Sequence, residues 1–240
     1  KIRQVVLLYS VNLVGIPLGI ITSIIITRYL GVQGYGDYQF ILNIFNLSII
    51  FFSFGFLQAG NRVLVLNSDP RKAKEYYGAE LVLIVFLFLA MSLFLFFYGV
   101  YDSNLRQKGL DSFFLKLLPF SWIFLLIRYF EVLFQADNKI RLLASSRLWP
   151  KVGFLVSAIL IYFFFYNSTG KHVIVWTLYL LTQAIVFITI IVKVSPSFKS
   201  LWERIGEIWE YNKAFGLQVY AGSVMAVGFS QLTGVLISYF

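Results

Sequence analysis

The sequence predicts an all-α integral membrane protein: a bundle of six transmembrane helices followed by the start of a seventh. Three observations carry this reading. Of 240 residues, 59% are hydrophobic and only 13% charged, with a mean hydropathy of +0.80, a balance that a soluble domain of this size cannot solvate. The apolar residues gather in largely uncharged runs of about twenty, the length that crosses a ~30 Å hydrocarbon layer at about 1.5 Å per residue. With the N-terminus in the cytosol, thirteen of the 20 Lys and Arg residues fall on the cytosolic side and four clearly on the other, as the positive-inside bias requires.

The runs lie at about 5–27, 38–60, 79–100, 113–135, 148–166 and 173–192, and a seventh begins near 214. The first is too long for a signal peptide and no small-residue cleavage site follows it. Its Gly15-Ile16-Pro17-Leu18-Gly19 places a kink-forming proline in a small-residue face, so Pro17 is a candidate hinge. Between the first two runs, Gly31, Gly34 and Gly36 are expected to reverse the backbone, with Arg28 where the helix leaves the membrane. Asp69-Pro70 reads as a helix start, and Arg71, Lys72 and Lys74 mark the cytosolic surface.

In 194–213, Leu201, Trp202, Ile205, Ile208 and Trp209 recur at helical spacing opposite Glu203, Arg204, Glu207 and Glu210. This predicts an amphipathic linker helix at the membrane surface, opened by a Ser200–Glu203 capping box. Thr22–Tyr29 (TSIIITRY) echoes Thr233–Phe240 (TGVLISYF), with an even number of spans between them. The chain is accordingly expected to hold an N-terminal bundle, 1–193, a linker, 194–213, and the first, truncated helix of a second pseudo-symmetric bundle, 214–240.

Composition also narrows the chemistry. There is no cysteine and one histidine, His172, which removes thiolate, zinc-cysteine and most triad chemistry. No Gly-x-Ser-x-Gly, His-Glu-x-x-His or Walker sequence occurs, so neither an enzyme nor a metal or cofactor site is expected. The net charge of +9 belongs to loops obeying the positive-inside rule rather than to a nucleic-acid surface. Charges within spans cost roughly 2.5–3.5 kcal/mol on insertion scales, so each is a functional candidate. Arg128 and Glu131 fall i,i+3 in the fourth run, where Arg128 offers a planar fork for phosphate oxygens and Glu131 either steadies it or exchanges a proton. A purely structural ion pair is the other reading. Glu131 is taken as the carboxylate lying deep in a span.

Arg28 reaches a cavity mouth or snorkels to headgroups; Arg62 and Lys151 are either cavity cations or interfacial anchors. Asn12, Asn43, Asn46, Gln135, Gln218 and Gln231 either line a cavity or bond neighbouring helices.

Arg28-Tyr29-Leu30-Gly31, Gly34-Tyr35-Gly36 and Tyr38 resemble the R-x-L-G-x-x-G-x-G-x-Y signature of Wzx-type polysaccharide flippases, in the superfamily of lipid II flippases and MATE exporters. Gly55-Phe56-Leu57 with Arg62 is similar to the close of the family's second span, and Phe134-Gln135-Ala136 before Asp137, Asn138 and Lys139 to its fourth-to-fifth junction. Val32-Gln33 stands where the family often has Pro-Glu. The resemblance implies two bundles around a central cavity and translocation of undecaprenyl-diphosphate-linked oligosaccharide from the cytosolic to the outer leaflet of the cell (plasma or inner) membrane, for polysaccharide, lipopolysaccharide or O-antigen synthesis. It implies no cofactor, coupling to a proton or sodium gradient, and other polysaccharide-assembly membrane proteins as partners beside membrane lipids. A MATE-like drug or cation exporter is the alternative, and a membrane-embedded glycan polymerase or transferase comes third.

Overall fold

The structure is a computed structural model and describes residues 2–67, 69–228 and 232–233; all of the second echo segment but Thr233, and Gln231, lie outside the described residues. The regular elements among them are all helices. The first, α1 (Ile2–Phe52), is far longer than one ~20-residue span and leaves helical geometry at one residue, Gly31 (φ 80°, ψ 167°). The expected turn over 28–36 is thus compressed into one residue, because a single positive φ, open to glycine at little steric cost, already redirects the chain. Gly34 and Gly36 stay helical. Gly34 serves close approach instead: a Cβ there would meet His172 Cε1 at 3.1 Å. Pro17 also lies within helix, which membrane helices tolerate when neighbouring groups satisfy the freed carbonyl.

The expected second run, 38–60, is interrupted at residues 53–55, where Phe54 (φ 44°) and Gly55 (φ 79°) turn left-handed before α2 (Phe56–Leu66). The reason is tertiary. A Cβ at Gly55 would collide with the carbonyl oxygen of Gly216, so only glycine lets these two backbones touch. Asn212 spans the same contact by donating from Nδ2 to Phe54 O at 3.1 Å.

The helix α3 (Pro70–Tyr101) starts where the sequence places it. Asp69 caps it by accepting from Arg71 N at 2.9 Å, with Pro70 in the first turn. After the short α4 (Ser103–Gln107), the fourth run is also broken: α5 (Asp111–Leu117) and a 3₁₀ turn (Leu118–Phe120) meet α6 (Trp122–Ala136) at 45°, with Pro119 in the turn. Then come α7 (Ile140–Phe164), α8 (Lys171–Val194) and α9 (Leu201–Tyr211). A π turn (Asn212–Gly216) carries α9 on into α10 (Leu217–Ser223), so the linker and the start of the last run form one interrupted helix.

Two details of the linker differ from expectation. Ser200 is left-handed (φ 51°) and makes no side-chain cap, so no capping box forms. Arg204, assigned to the polar face, is buried: its Nε meets Glu75 Oε2 at 2.9 Å, its Nη1 meets Glu207 Oε1 at 2.6 Å, and its guanidinium lies 5.4 Å from the Tyr76 ring centroid. With Glu203 Oε1 also 3.4 Å from Nη1, three partner carboxylates make an inward arginine favourable where an unpaired one would not be. Burial works against its charge, but the hydrogen bonds to Glu75 and Glu207 outweigh that and hold its pKa above the ordinary value. Trp202 and Trp209 stay exposed.

By length and composition, four of the described helices can cross a membrane, or five if the bent pair 111–136 is one span. One of the four is the 47-residue stretch Val6–Phe52 that contains the Gly31 break. Internal contacts divide the chain into two units, Lys1–Tyr38 with Asn138–Lys193, and Gln39–Asp137 with Val194–Phe240. In the first, Tyr38, Trp176 and Tyr179 form an aromatic cluster, with the Tyr38 and Trp176 centroids 5.1 Å apart. Tyr29, of the glycine-turn motif, is buried there and donates to Phe165 O at 3.2 Å, while Lys171 Nζ lies 5.0 Å from its ring centroid. In the second, Phe45 stacks on Phe124 (4.9 Å) and Phe114 (5.5 Å), joining α1, α5 and α6.

Candidate functional site

In the second unit, α6 presents Arg128 and Glu131 on one face, one helical turn apart. Arg128 Nη1 donates to Glu131 Oε2 at 3.3 Å, and their side chains are 48% and 26% exposed. Both line a cavity of about 370 Å³ with Asn46 of α1, Ser53, Gln58 of α2 and Ser223 of α10. Ile49, Ile50, Phe124, Ile127 and Val227 complete its wall.

The irregular backbone at residues 53–55 explains how so many polar groups converge. Irregular backbone within an apolar helical protein is tolerated where its polar groups find partners, and here the carbonyls of Ser53, Phe54 and Gly55 accept from Phe56 N, Asn212 Nδ2 and Ala59 N. It also sets the start of α2, and with it Gln58, against the wall. Gln58 Oε1 is buried without a hydrogen-bond partner, which is an unfavourable state for an amide unless a ligand or water meets it.

Chemically, the cavity offers one cation with a steadying carboxylate, two amides and two hydroxyls. A guanidinium has five N–H donors, and one contact to Glu131 leaves capacity for anion oxygens. Amides and hydroxyls both donate and accept, which suits sugar hydroxyls as partners.

The other sequence candidates lie elsewhere. Arg28 is exposed and belongs to the first unit. Arg62 is exposed on α2 with its guanidinium 5.8 Å from the Phe215 ring centroid. Lys151 belongs to the first unit. Eleven residues of α7 precede it, so it lies further inside the helix than the run 148–166 indicates. Its Nζ sits 3.0 Å from where a Cβ of Gly15 would be. The candidate hinges Pro17, Gly31, Gly34 and Gly36 also belong to the first unit. Among the amides, Asn46 lines the cavity, Asn12 accepts from Arg147 Nη1 at 3.4 Å, and Gln135 and Gln218 are exposed.

Sequence reasoning missed three residues. Gln58 was hidden because its run was read as one unbroken helix. Arg147 stands just before the run 148–166 and so reads as outside it, although its i,i+4 spacing from Lys151 puts both on one face of α7. Glu80, within α3, is 2% exposed, so Glu131 is not the sole carboxylate deep in a candidate span.

The family model described as polysaccharide biosynthesis protein matches residues 2–240. No curated protein matches the chain, and no solved structure does. With long apolar helices over most of its described length, the protein is a membrane protein. It belongs to the polysaccharide biosynthesis protein family, the group that covers the Wzx-type flippases its first glycine-rich motif resembles.

Proposed function

We propose that the protein is a flippase that carries undecaprenyl-diphosphate-linked oligosaccharide from the cytosolic to the outer leaflet by alternating access, and that it is a transporter rather than an enzyme. The observation that carries this is the cavity at Arg128: a half-exposed guanidinium, only partly engaged by Glu131, among amides and hydroxyls. A lipid diphosphate with a hydrated glycan needs a partner for each polar group as it crosses the hydrocarbon layer. Arg128 meets the diphosphate, with Glu131 holding the fork in place, and Gln58, Asn46 and Ser53 meet the sugar nearest to it. A cation exporter would present a free carboxylate to its cargo, whereas Glu131 is paired.

In this reading Gly31 separates two spans within α1, the bent pair forms a fourth, and α10 begins a seventh, with the N-terminus in the cytosol of the cell membrane. Residues 194–213 link the first bundle to the next. Arg28, Arg62 and Lys151 are further substrate-binding cations, Pro17 and the Gly31, Gly34 and Gly36 turn act as hinges, and an ion gradient drives the return step. Membrane lipids and other polysaccharide-assembly proteins are its partners.

The test is the position of lipid-linked oligosaccharide in cells depleted of the full-length protein, probed with a membrane-impermeant sugar label. Complete units are expected to accumulate on the cytosolic leaflet, out of reach of the label. Failure to make the units would point to an enzyme, and normal export with altered drug tolerance to an exporter.

A further inference from the structure

We propose that Glu80 is a proton-binding site whose occupancy controls the packing of α2 against α3 and α6. Glu80 is 2% exposed, and its Oε1 is buried without a hydrogen-bond partner. The carboxyl occupies the space left by the missing side chain of Gly60 on α2, where a Cβ would collide with it. On α6, within electrostatic reach of it, is Tyr129, itself 1% exposed, whose hydroxyl donates to Tyr77 O at 3.1 Å. The Tyr77 hydroxyl in turn donates to Asp137, at the end of α6. The charged groups that α9 brings to α3, Arg204 and Glu207, are engaged with Glu75 and Tyr76 one turn earlier.

Glu80 therefore sits against a glycine, with a buried phenol in electrostatic reach and, among the described residues, no cation in an ion pair with it. An unpaired carboxylate is strongly disfavoured in such a seat, so the side chain rests there as the neutral acid. Deprotonation breaks its O–H bond, passes the proton to water and leaves a charge that the seat cannot hold. Solvating that charge requires α2 and α3 to part. Both flanking helices also line the Arg128 cavity: Gln58 is two residues before Gly60, and Arg128 immediately precedes Tyr129. Gain or loss of one proton at Glu80 thus displaces the α2 wall of the cavity, Gln58 with it, relative to α6. The coupling to transport rests on the flippase reading; the proton site does not.

The test is infrared spectroscopy of the full-length protein in lipid nanodiscs. At neutral pH the wild type is expected to show the C=O stretch of a protonated carboxyl, lost in Glu80→Gln and retained in Glu131→Gln. A wild type without that band, or a band undiminished in Glu80→Gln, would overturn the site. If Glu80→Gln does not assemble, Glu80→Asp is expected to keep the band but shift its titration, and an unshifted titration overturns the site equally. In proteoliposomes with an internal pH dye, proton uptake that depends on added lipid-linked oligosaccharide should be lost in Glu80→Gln. Lipid movement without proton uptake in the wild type overturns the coupling. A wild type that moves no lipid-linked oligosaccharide overturns the flippase reading and leaves the infrared assignment standing.

Discussion

Arg128 and Arg204 each stand three residues before a glutamate on a helix, yet their surroundings are opposite. The Arg128 side chain is 48% exposed and makes one 3.3 Å contact to Glu131 in a polar cavity. The Arg204 side chain is 8% exposed and is held by Glu207 at 2.6 Å, Glu75 at 2.9 Å and the Tyr76 ring. Glu207 also accepts from the Tyr76 hydroxyl, to which Asn67 Nδ2 donates at 3.3 Å. Local spacing is the same in both pairs, so it cannot decide between a clamp and a site. What decides is how many donors remain unspent. Arg204 is engaged by three carboxylates, Glu75, Glu207 and Glu203 (3.4 Å), and a ring, and fastens α9 to α3, whereas Arg128 keeps donors for a ligand.

The largest effect is expected at the clamp. Arg204→Ala leaves Glu75 and Glu207 without their shared cation, and loss of one partner of a largely buried pair costs about 3 kcal/mol. Thermal unfolding of the full-length protein in detergent should show this loss with the Arg128 cavity chemistry untouched. Arg204→Lys should recover only part of it, since an ammonium lacks the planar fork. A melting temperature unchanged in Arg204→Ala would erase the contrast.

Next comes Arg128→Ala, expected to reduce transport about 10- to 100-fold, the equivalent of losing charge-assisted hydrogen bonds of about 1.5–3 kcal/mol. Membrane level and melting temperature should stay near wild type, because a half-exposed pair contributes at most about 1 kcal/mol. Normal transport by this variant would make the pair structural. Gly55→Ala should cost about 1–3 kcal/mol, since it needs a positive φ and faces the Gly216 carbonyl. The same variant should lower transport through the shifted Gln58, which a melting curve and a transport assay on one preparation would separate.

Glu131→Gln sharpens the comparison further. If the carboxylate only steadies Arg128, transport falls about two- to fivefold, in line with a pair worth about 0.5–1 kcal/mol, and its pH profile keeps its shape. A changed pH profile would make Glu131 a proton carrier. The smallest effect is expected for Trp202→Ala on the exposed side of α9, within about 0.5 kcal/mol by thermal unfolding, where a larger loss would show that the clamp extends beyond Arg204.

Much of the architecture was legible because it depends on local or summed properties. Hydropathy set the membrane class, run length set the helices α3, α7 and α8, and Asp69-Pro70 marked the start of α3 through a cap that only neighbouring residues make. The Arg128–Glu131 pair was legible for the same reason, since i,i+3 spacing places both on one face wherever the helix goes. The interruptions were harder to see. Gly55 looks like any glycine near a span end until Gly216 is found against it, and the linker amphipathicity, read from α9 alone, turned Arg204 toward solvent because the carboxylate that draws it inward belongs to Glu75 on another helix.

Length, hydropathy and backbone freedom act within a few residues, so the order of amino acids was enough to make this a helical membrane protein with a cationic fourth run and a glycine-dependent break in the 31–36 stretch, which the structure confines to Gly31. Tertiary structure alone decided which charges are spent and which remain. Whether an arginine clamps or binds, and whether Glu80 is exposed or sealed over Gly60, depends on groups that other helices bring to it, and the energy of a charge in a low-dielectric interior is set by those partners.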